Sequence, residues 1–475
     1  MRLLGFLSSA MLAGGAWWAG ALPSGHRSGP PGPYLAGLIV CLIGLAGLIV
    51  CWLRLARALP PLRSLLVTGA LWQLPFLFAP PLGSRDVYSY ACQGWVYTHG
   101  LDPYLTSPRA AGCPWLPGVA DLWQDATTPY GPFALLISGI AGLSGSWLVA
   151  LAVLRACALV GVTLAGVGVW QLASSVGAVG GDARLAVWLG LPAPLIAVHA
   201  VSGAHHDALL AGLVVVALGW ALRGSSGFLV AAGVALGLAA AIKITALAVI
   251  PFVLILALRE PRRPAAAQRG PRGPLLVTGG LAGSFGLVTL VSGLGFGWLG
   301  ALTSSTGPKQ WTSVPTGVGM ALGYLLRAAG LGAHEEAALT VSRLGGVVAL
   351  AALGLVCLWG AWRRRDDPRA VVLRAGVLLL AVVLLGPVAY PWYFLTPFPV
   401  LAAAMTSDRQ LRWLSYGGAA ASLLVLPDGL GIPAVTKAPG AIADLLLVIV
   451  IVVVGIRRLR QTRRTPVAGD SGALR

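Results

Sequence analysis

Long apolar stretches alternate with short polar segments along almost the whole chain. A run of roughly 20 apolar residues is long enough to cross a bilayer as an α-helix. Arginines cluster at the ends of several of these runs, and such clusters mark the cytoplasmic side of a membrane protein. The pattern predicts a helical bundle of about 12 to 14 spans. The predicted spans cover residues 3–21, 34–53, 63–81, 147–172, 185–200, 208–222, 227–242, 245–258, 275–295, 338–362, 371–388, 394–406, 411–427 and 440–456.

The first apolar run, residues 3–21, resembles a signal peptide as well as a span. Arg2 precedes it, and Ala19-Gly20-Ala21 has the small residues of a cleavage site. Because many more spans follow, we interpret the run as a transmembrane helix. The N-terminus, the Arg- and Pro-rich loop 259–273 and the tail 457–475 are then expected to face the cytoplasm.

The longest polar segment, residues 82–132, is predicted to lie on the opposite, extracytoplasmic side. A second outer loop covers residues 296–337. Long polar loops anchored at both ends are commonly functional. Within the first loop we expect an interfacial helix from Asp86 to about Thr98, since an acid at a helix start is favoured by the helix dipole.

The composition supports a membrane protein and argues against other classes. The chain is 57% hydrophobic and 10% charged, whereas soluble domains carry about 25% charged residues. The net charge of +18 comes largely from the arginine clusters beside the spans, so it reflects topology and predicts no nucleic-acid partner. We expect an all-α polytopic membrane protein that forms a single domain over residues 1–475.

Two of the six cysteines, Cys92 and Cys113, fall in the first outer loop. On an oxidising side of the membrane they are compatible with a disulfide that stabilises by about 3 kcal/mol. Two unpaired thiols fit the sequence equally well. The six cysteines form no metal motif.

Several charged residues at the predicted outer face are candidates for chemistry. Asp86 is either a helix-start acid or a general base whose pKa is raised by apolar surroundings. Lys243, between two apolar runs, either snorkels to the interface or holds a phosphate. With Arg85, Arg155 and Lys309 it forms a set of cations that suits a lipid-borne phosphate.

The triplet His205-His206-Asp207 follows a predicted span. Adjacent residues on a helix point about 100° apart, so the three side chains cannot easily share one metal ion. Hydrogen bonding to a substrate by one of the two histidines is the interpretation we favour, and Asp207 is alternatively a helix-start acid. The chain has no Walker loop and no GxGxxG between a strand and a helix, which argues against a soluble nucleotide-sugar domain.

A set of motifs in fixed order resembles the actinobacterial polyprenol-phosphomannose-dependent α-1,6-mannosyltransferases, lipomannan-backbone enzymes of the GT-C glycosyltransferase superfamily. The motifs extend over nearly the whole chain. They are residues 85–94, Gly100 to Tyr104, Pro129 to Pro132, Gly203 to Asp207, Ala241 to Lys243, Trp311 to Gly317, Pro391 to Tyr393 and Pro427 to Gly429. One departure is His205-His206-Asp207, where the family pattern is expected to read His-Asn and then an acid.

The resemblance implies a GT-C bundle whose catalytic loop faces outward from the plasma membrane, with Asp86 as the base. It further implies inverting transfer of mannose from polyprenyl-phosphomannose to a mannoside or lipoglycan acceptor. Membrane lipids are the remaining partners, and no cofactor is predicted, although a divalent metal stays open. The donor phosphate is expected to contact Arg85, Lys243, Arg155 and Lys309. Substrate-binding residues are expected to be Tyr88, Gln93, Asp102, Tyr130, His205, His206, Asp207, Trp311, Tyr390, Trp392 and Tyr393.

Two alternatives remain from the sequence. The same fold could use another polyprenyl-phosphate sugar, arabinofuranose or glucose. A transporter or flippase of lipid-linked sugars is the other alternative, but transporters place ionisable groups near the bilayer midplane and often show inverted repeats. Here Arg155 is the one clear charge within a predicted span, and no repeat is found.

Overall fold

The chain folds into helices, and the part described by the computed structural model contains no β-strand. The described residues are 1–25, 31–177, 182–259, 271–302, 307–405, 407–424, 426–429 and 431–464. Helices follow from the apolar composition, because a backbone in lipid must pair its N–H and C=O groups within its own segment. The α-helices are α1 (Arg2–Ala19), α2 (Pro31–Leu55), α3 (Leu62–Gln73), α4 (Asp86–Thr98), α5 (Asp121–Gln124), α6 (Pro132–Gly142), α7 (Trp147–Val176), α8 (Arg184–Gly190), α9 (Asp207–Arg223), α10 (Ser226–Ala240), α11 (Ile250–Ala257), α12 (Arg272–Ser292), α13 (Trp298–Ala301), α14 (Val314–Ala328), α15 (Glu335–Arg363), α16 (Pro368–Leu385), α17 (Pro397–Ala404), α18 (Asp408–Leu423), α19 (Ile432–Val435) and α20 (Lys437–Arg464).

The helices fit a multi-pass membrane protein. In the described part of the chain, six of them are long and apolar enough to cross a membrane, judged by length and composition. The π-helical turn Ile196–Ser202 and α9 together make a seventh if that bent pair is one span. The prediction of an all-α polytopic membrane protein is therefore confirmed. The six are Gly32–Ala58, Trp147–Val176, Arg272–Ser292, Gly332–Arg363, Pro368–Leu385 and Lys437–Arg458.

Proline accounts for part of the difference from the predicted number of spans. The predicted span 185–200 is interrupted after α8 by Pro192 and Pro194, which remove backbone donors and clash with the preceding turn. In the described part of the predicted span 394–406, the α-helix is the short α17, which begins at Pro397. Shorter apolar helices occupy three other predicted spans: Leu62–Leu77, Ser226–Ala240 and Ile244–Ala257. A further short apolar helix, Pro132–Gly142, follows the first outer loop, where the sequence predicts no span.

The first outer loop contains the predicted helix, α4, with the bounds expected from the sequence. It crosses α6 at backbone contact, because a Cβ placed on Gly94 would lie 1.7 Å from the carbonyl oxygen of Ser138. Cys92 of α4 forms a disulfide with Cys113, with the two Cα atoms 5.6 Å apart. The loop after α4 is therefore attached to the helix that begins with Asp86.

A pair of backbone hydrogen bonds connects this loop to a distant part of the chain. The N–H groups of Gly131 and Phe133 donate to the carbonyls of Ile242 and Ala241, at 3.0 and 2.8 Å. Lys243 follows directly and is extended, with φ −153° and ψ 134°. The end of the outer loop and the lysine thus lie side by side.

Parts of three other predicted segments lie outside the described residues. They are 260–270 of the Arg- and Pro-rich loop, 303–306 of the second outer loop and 465–475 of the tail.

Candidate active site

A cavity of about 400 Å³ opens beside the start of α4. Its polar side is lined by Asp86 and Gln93 of α4, by Asp207 of α9 and by Lys243, so three separate segments of the chain contribute to it. An apolar wall comes from α15 and α16. That wall comprises Leu350, Leu379, Val382 and Val383. A cavity with one polar and one apolar side suits an amphipathic ligand.

Asp86 is the first residue of α4, and its side chain is 13% exposed. Its backbone N–H donates to Ser84 Oγ at 3.1 Å, which orders the entry to the helix. Burial, and then repulsion from Asp207, raises the pKa of Asp86 to about 7, although Lys243 and hydrogen bonding by Trp123 and Ser84 lower it. A carboxyl group with such a pKa can accept a proton near neutral pH.

Asp207 and Lys243 form an ion pair in the cavity wall. Lys243 Nζ lies 2.8 Å from Asp207 Oδ1 and 3.5 Å from the centre of the Tyr393 ring. The two side chains are 14% and 2% exposed. Within the described part of the chain, Asp207 Oδ2 has no hydrogen-bond partner. The pair therefore presents an ammonium group and one unsatisfied carboxylate oxygen.

Aromatic rings form the sides of the cavity. Tyr90, Tyr130, Tyr390 and Tyr393 line it, and the Tyr90 and Tyr130 hydroxyls lie 3.2 Å apart. Trp392 lies behind this surface and is stacked on Tyr390, with ring centres 4.6 Å apart. Flat apolar faces of this kind bind sugar rings and isoprene units.

The side chains of His205, His206 and Asp207, which follow the π-helical turn, contact three different partners. His205 Nε2 lies 3.7 Å from Asp86 Oδ2, whereas His206 Nε2 lies 3.4 Å from Ser138 Oγ. Asp207 pairs with Lys243. Among the described residues, no group of three or more His, Cys, Asp or Glu side chains is placed to hold a metal ion.

Arg85, predicted as a phosphate ligand, has a structural position instead. Its guanidinium is buried, forms an ion pair with Asp428, and donates to the carbonyls of Leu22 and Gly118 at 3.1 Å each. It does not line the cavity. These contacts fix the entry to α4 against distant segments, which corrects the predicted role.

The other two predicted phosphate ligands, Arg155 and Lys309, also lie away from the cavity. Arg155 donates to the backbone carbonyls of Leu77 and Ala79, at 3.0 and 2.7 Å, and is buried. Lys309 pairs with Glu336 in an exposed position. Their donors are therefore directed at protein groups, and the predicted cluster of cations is not formed.

Some predicted substrate-binding residues are likewise placed elsewhere. Tyr88 is buried, stacks on Trp147 and donates to a backbone carbonyl. Asp102 accepts from the N–H of Tyr104 at 2.8 Å, as in a local turn. Trp311 donates to a threonine hydroxyl near the start of α20. These three, together with His205, His206 and Trp392, do not line the cavity, whereas Gln93, Tyr130, Asp207, Tyr390 and Tyr393 do.

Sequence reasoning missed Trp123 and the apolar wall, which both line the cavity. Trp123 is one of 17 tryptophans and has no distinguishing neighbour in the sequence. The wall residues resemble those of any span that faces lipid. Neither carried a signal that could have identified it.

Comparison with known proteins identifies the family of this chain. The family described as "Alpha-(1->6)-mannopyranosyltransferase, N-terminal domain" matches residues 2–259, more than half of the chain. The chain belongs to this family. The transferase also matches the "MptB C-terminal domain" over residues 315–455.

Individual relatives carry the same name. The transferase is 32% identical over 374 residues to Alpha-(1->6)-mannopyranosyltransferase A of Mycobacterium tuberculosis, which covers 76% of this chain and 69% of that protein. It is 28% identical over 482 residues to Alpha-(1->6)-mannopyranosyltransferase B of Corynebacterium glutamicum, with 91% and 77% covered. The transferase is therefore a membrane glycosyltransferase that uses a sugar donor and an acceptor.

The transferase also has a weak similarity to a solved structure. This is the oligosaccharyltransferase of Archaeoglobus fulgidus, crystallised with a tethered acceptor peptide. The TM-score is 0.39 and the identity 16%, with 81% of this chain and 55% of that chain covered.

Proposed function

We propose that the transferase moves mannose from polyprenyl-phosphomannose to a hydroxyl of a mannoside or lipoglycan, with inversion at the anomeric carbon. The supporting observation is that one cavity joins a buried carboxyl group, a lysine and an apolar wall. The reaction is proposed to take place within a GT-C-type bundle at the extracytoplasmic face of the plasma membrane, with both termini in the cytoplasm.

The two sides of the cavity match the two parts of such a donor. Sugar and phosphate would lie against Asp86, Asp207 and Lys243, where polar atoms converge. The first isoprene units would lie along the Leu350 and Leu379 wall, which is contributed by two candidate membrane spans. A water-soluble sugar nucleotide has no apolar chain to bind this wall, so the geometry favours a lipid-linked sugar.

Asp86 is proposed as the general base. The acceptor hydroxyl gives its proton to the Asp86 carboxylate, and the acceptor oxygen bonds to C1 of mannose. The bond between C1 and the phosphate oxygen breaks, and its electron pair leaves with the phosphate. Because this is one displacement without a covalent enzyme intermediate, the configuration at C1 inverts.

Lys243 is proposed to stabilise the leaving phosphate. Among the residues described as lining the cavity, it is the cation. Its pair with Asp207 and its position over the Tyr393 ring hold the ammonium group in place before the donor binds. A preorganised cation at a developing negative charge lowers the barrier more than a mobile one.

A transfer assay tests the proposed donor, reaction and stereochemistry. Protein in nanodiscs is given labelled polyprenyl-phosphomannose and a short α-mannoside acceptor, with and without a chelator. We expect a disaccharide whose new linkage is α by NMR, from a β-linked donor. The controls are polyprenyl-phosphate donors that carry arabinofuranose or glucose. Faster transfer from either of these donors than from polyprenyl-phosphomannose would refute mannose as the donor sugar. Movement of intact donor across the membrane without transfer would refute the enzyme reaction.

The pH profile of the transfer follows from the environment of Asp86. Its pKa is raised to about 7, and only the ionised form can accept a proton. We therefore expect kcat/KM to be constant above about pH 7 and to fall by about tenfold per pH unit well below it. A profile that stays flat down to pH 5 would contradict a base with this pKa.

A further inference from the structure

The imidazole of His205 faces the Asp86 carboxyl group from behind the cavity. Its Nε2 atom lies 3.7 Å from Asp86 Oδ2. Within the described residues, Nε2 has no hydrogen-bond partner, and the ring is buried and does not line the cavity. His205 is therefore directed at the proposed base rather than at a substrate.

The other ring nitrogen determines which tautomer is present. His205 Nδ1 lies 2.7 Å from the carbonyl oxygen of His199. A carbonyl only accepts, so Nδ1 carries the hydrogen and donates it. In a neutral imidazole the lone pair is then on Nε2, on the side that faces Asp86.

Packing on two sides holds the ring in this orientation. The His205 ring is stacked on Trp392, with centres 4.2 Å apart and planes 14° apart, and Trp392 is stacked on Tyr390. On another side, a Cβ on Gly203 would lie 2.5 Å from His205 Cε1. A side chain at position 203 would therefore displace the ring, and the ring has little freedom to turn.

We propose that His205 is a positioning residue whose Nε2 lone pair accepts a hydrogen bond from Asp86 once Asp86 has taken the acceptor proton. This inference rests on the proposed function. The proton moves from the acceptor hydroxyl to Asp86 Oδ2, where the new O–H donates to Nε2, and it later leaves to water. The 3.7 Å separation shortens on protonation, since hydrogen bonds in ligand-free sites are often long and tighten during reaction.

The interaction favours one protonation state of Asp86. An ionised carboxylate and the Nε2 lone pair are both acceptors, so they form no hydrogen bond. Only the protonated acid gains the bond, which makes Asp86 a stronger base. Other ionisable groups face this pair, and both His205 variants below retain them. They are Asp207, Lys243, His199, His206, Tyr90, Tyr130, Tyr390 and Tyr393.

A series of substitutions at position 205 tests the role through the pH profile of kcat/KM. His205→Asn keeps a donor for the His199 carbonyl and has no atom at the Nε2 position. We expect the midpoint of the pH profile of kcat/KM to fall by about one pH unit, because the variant loses one hydrogen bond that stabilises the protonated acid. His205→Gln brings an amide N–H to the ionised carboxylate, so its midpoint should be lower still.

The neighbouring residue provides the control. His206 contacts Ser138 and the Tyr90 ring, and His206→Asn should leave the midpoint at the wild-type pH. If the His205→Asn enzyme has a reduced kcat but the wild-type midpoint, the positioning role is overturned. His205 would then have only a packing role. Failure of the proposed function is separate, because it would show as an active Asp86→Asn enzyme or as no acidic decline in the wild type.

A measurement on the wild type keeps the inference testable if the variants fail to fold. Infrared difference spectra between pH 6 and pH 8 isolate the carboxyl stretch of protonated Asp86, identified by its absence in Asp86→Asn. We expect the stretch at the low frequency of an acid that donates a hydrogen bond. A stretch at the frequency of a free carboxylic acid would overturn the inference.

Discussion

Asp86→Asn is expected to lower kcat by about 10³-fold, within the usual range for loss of a general base. The amide has nearly the same size as the carboxyl group and cannot accept a proton from the acceptor hydroxyl. Donor affinity and the thermal unfolding midpoint should change little, because the side chain is neutral in the variant and burial penalises the charged form in the wild type. The measurement is transfer in nanodiscs at saturating donor.

Asp121→Asn is the matched control for this substitution. Asp121 lies in the same outer loop at the start of α5, is exposed, and accepts a hydrogen bond from Gln124 at 3.2 Å. It does not line the cavity, so the same chemical change there should leave kcat at the wild-type value. Comparable losses of kcat in Asp86→Asn and Asp121→Asn would show that an amide anywhere in this loop impairs the enzyme. The loss in Asp86→Asn would then not support Asp86 as the base.

Lys243→Met is expected to impair both turnover and folding. Loss of the cation at the leaving phosphate should lower kcat/KM for the donor by about 10²-fold. It also leaves the buried Asp207 carboxylate without its partner, and breaking a buried pair in this way costs about 3 kcal/mol of unfolding free energy. Transfer kinetics and the thermal unfolding midpoint in detergent measure the two effects.

A double substitution separates these effects. In Lys243→Met with Asp207→Asn no unpaired charge remains, so the unfolding midpoint should return toward the wild-type value while transfer stays low. Lys309→Met is the control for general loss of a lysine, since Lys309 is exposed and paired with Glu336. Normal donor turnover in the double variant would contradict a role for Lys243 at the phosphate.

Much of the architecture could be predicted from the sequence because the relevant signals are local. The bounds of α4 were predicted from an acid at its start and a run of aromatic residues, and the helix does extend from Asp86 to Thr98. The apolar runs predicted the long spans, for the backbone in lipid has few alternatives to a helix. Some of the errors arose where prolines interrupt an apolar run, as at Pro192 and Pro397.

The contacts of the cations could not be predicted from local sequence. Arg85, beside Asp86 in sequence, pairs with Asp428, which is 343 residues away. Lys243 pairs with Asp207 across 36 residues and faces the cavity. Arg85 and Lys243 have the same local sequence pattern, a basic residue at the end of an apolar segment. Their contacts differ because long-range packing brings a carboxylate to each from a different direction.

The sequence by itself determined that this protein is an α-helical membrane protein with a long polar loop, and its motifs pointed to the mannosyltransferase family. Those properties depend on composition, on hydrophobic periodicity and on short motifs, which are all readable along one chain. The tertiary structure alone decided which polar groups share a cavity, since Asp86, Asp207 and Lys243 converge from separate segments. It also decided that His205 faces the proposed base, because the direction of a side chain depends on the rings and backbone packed around it.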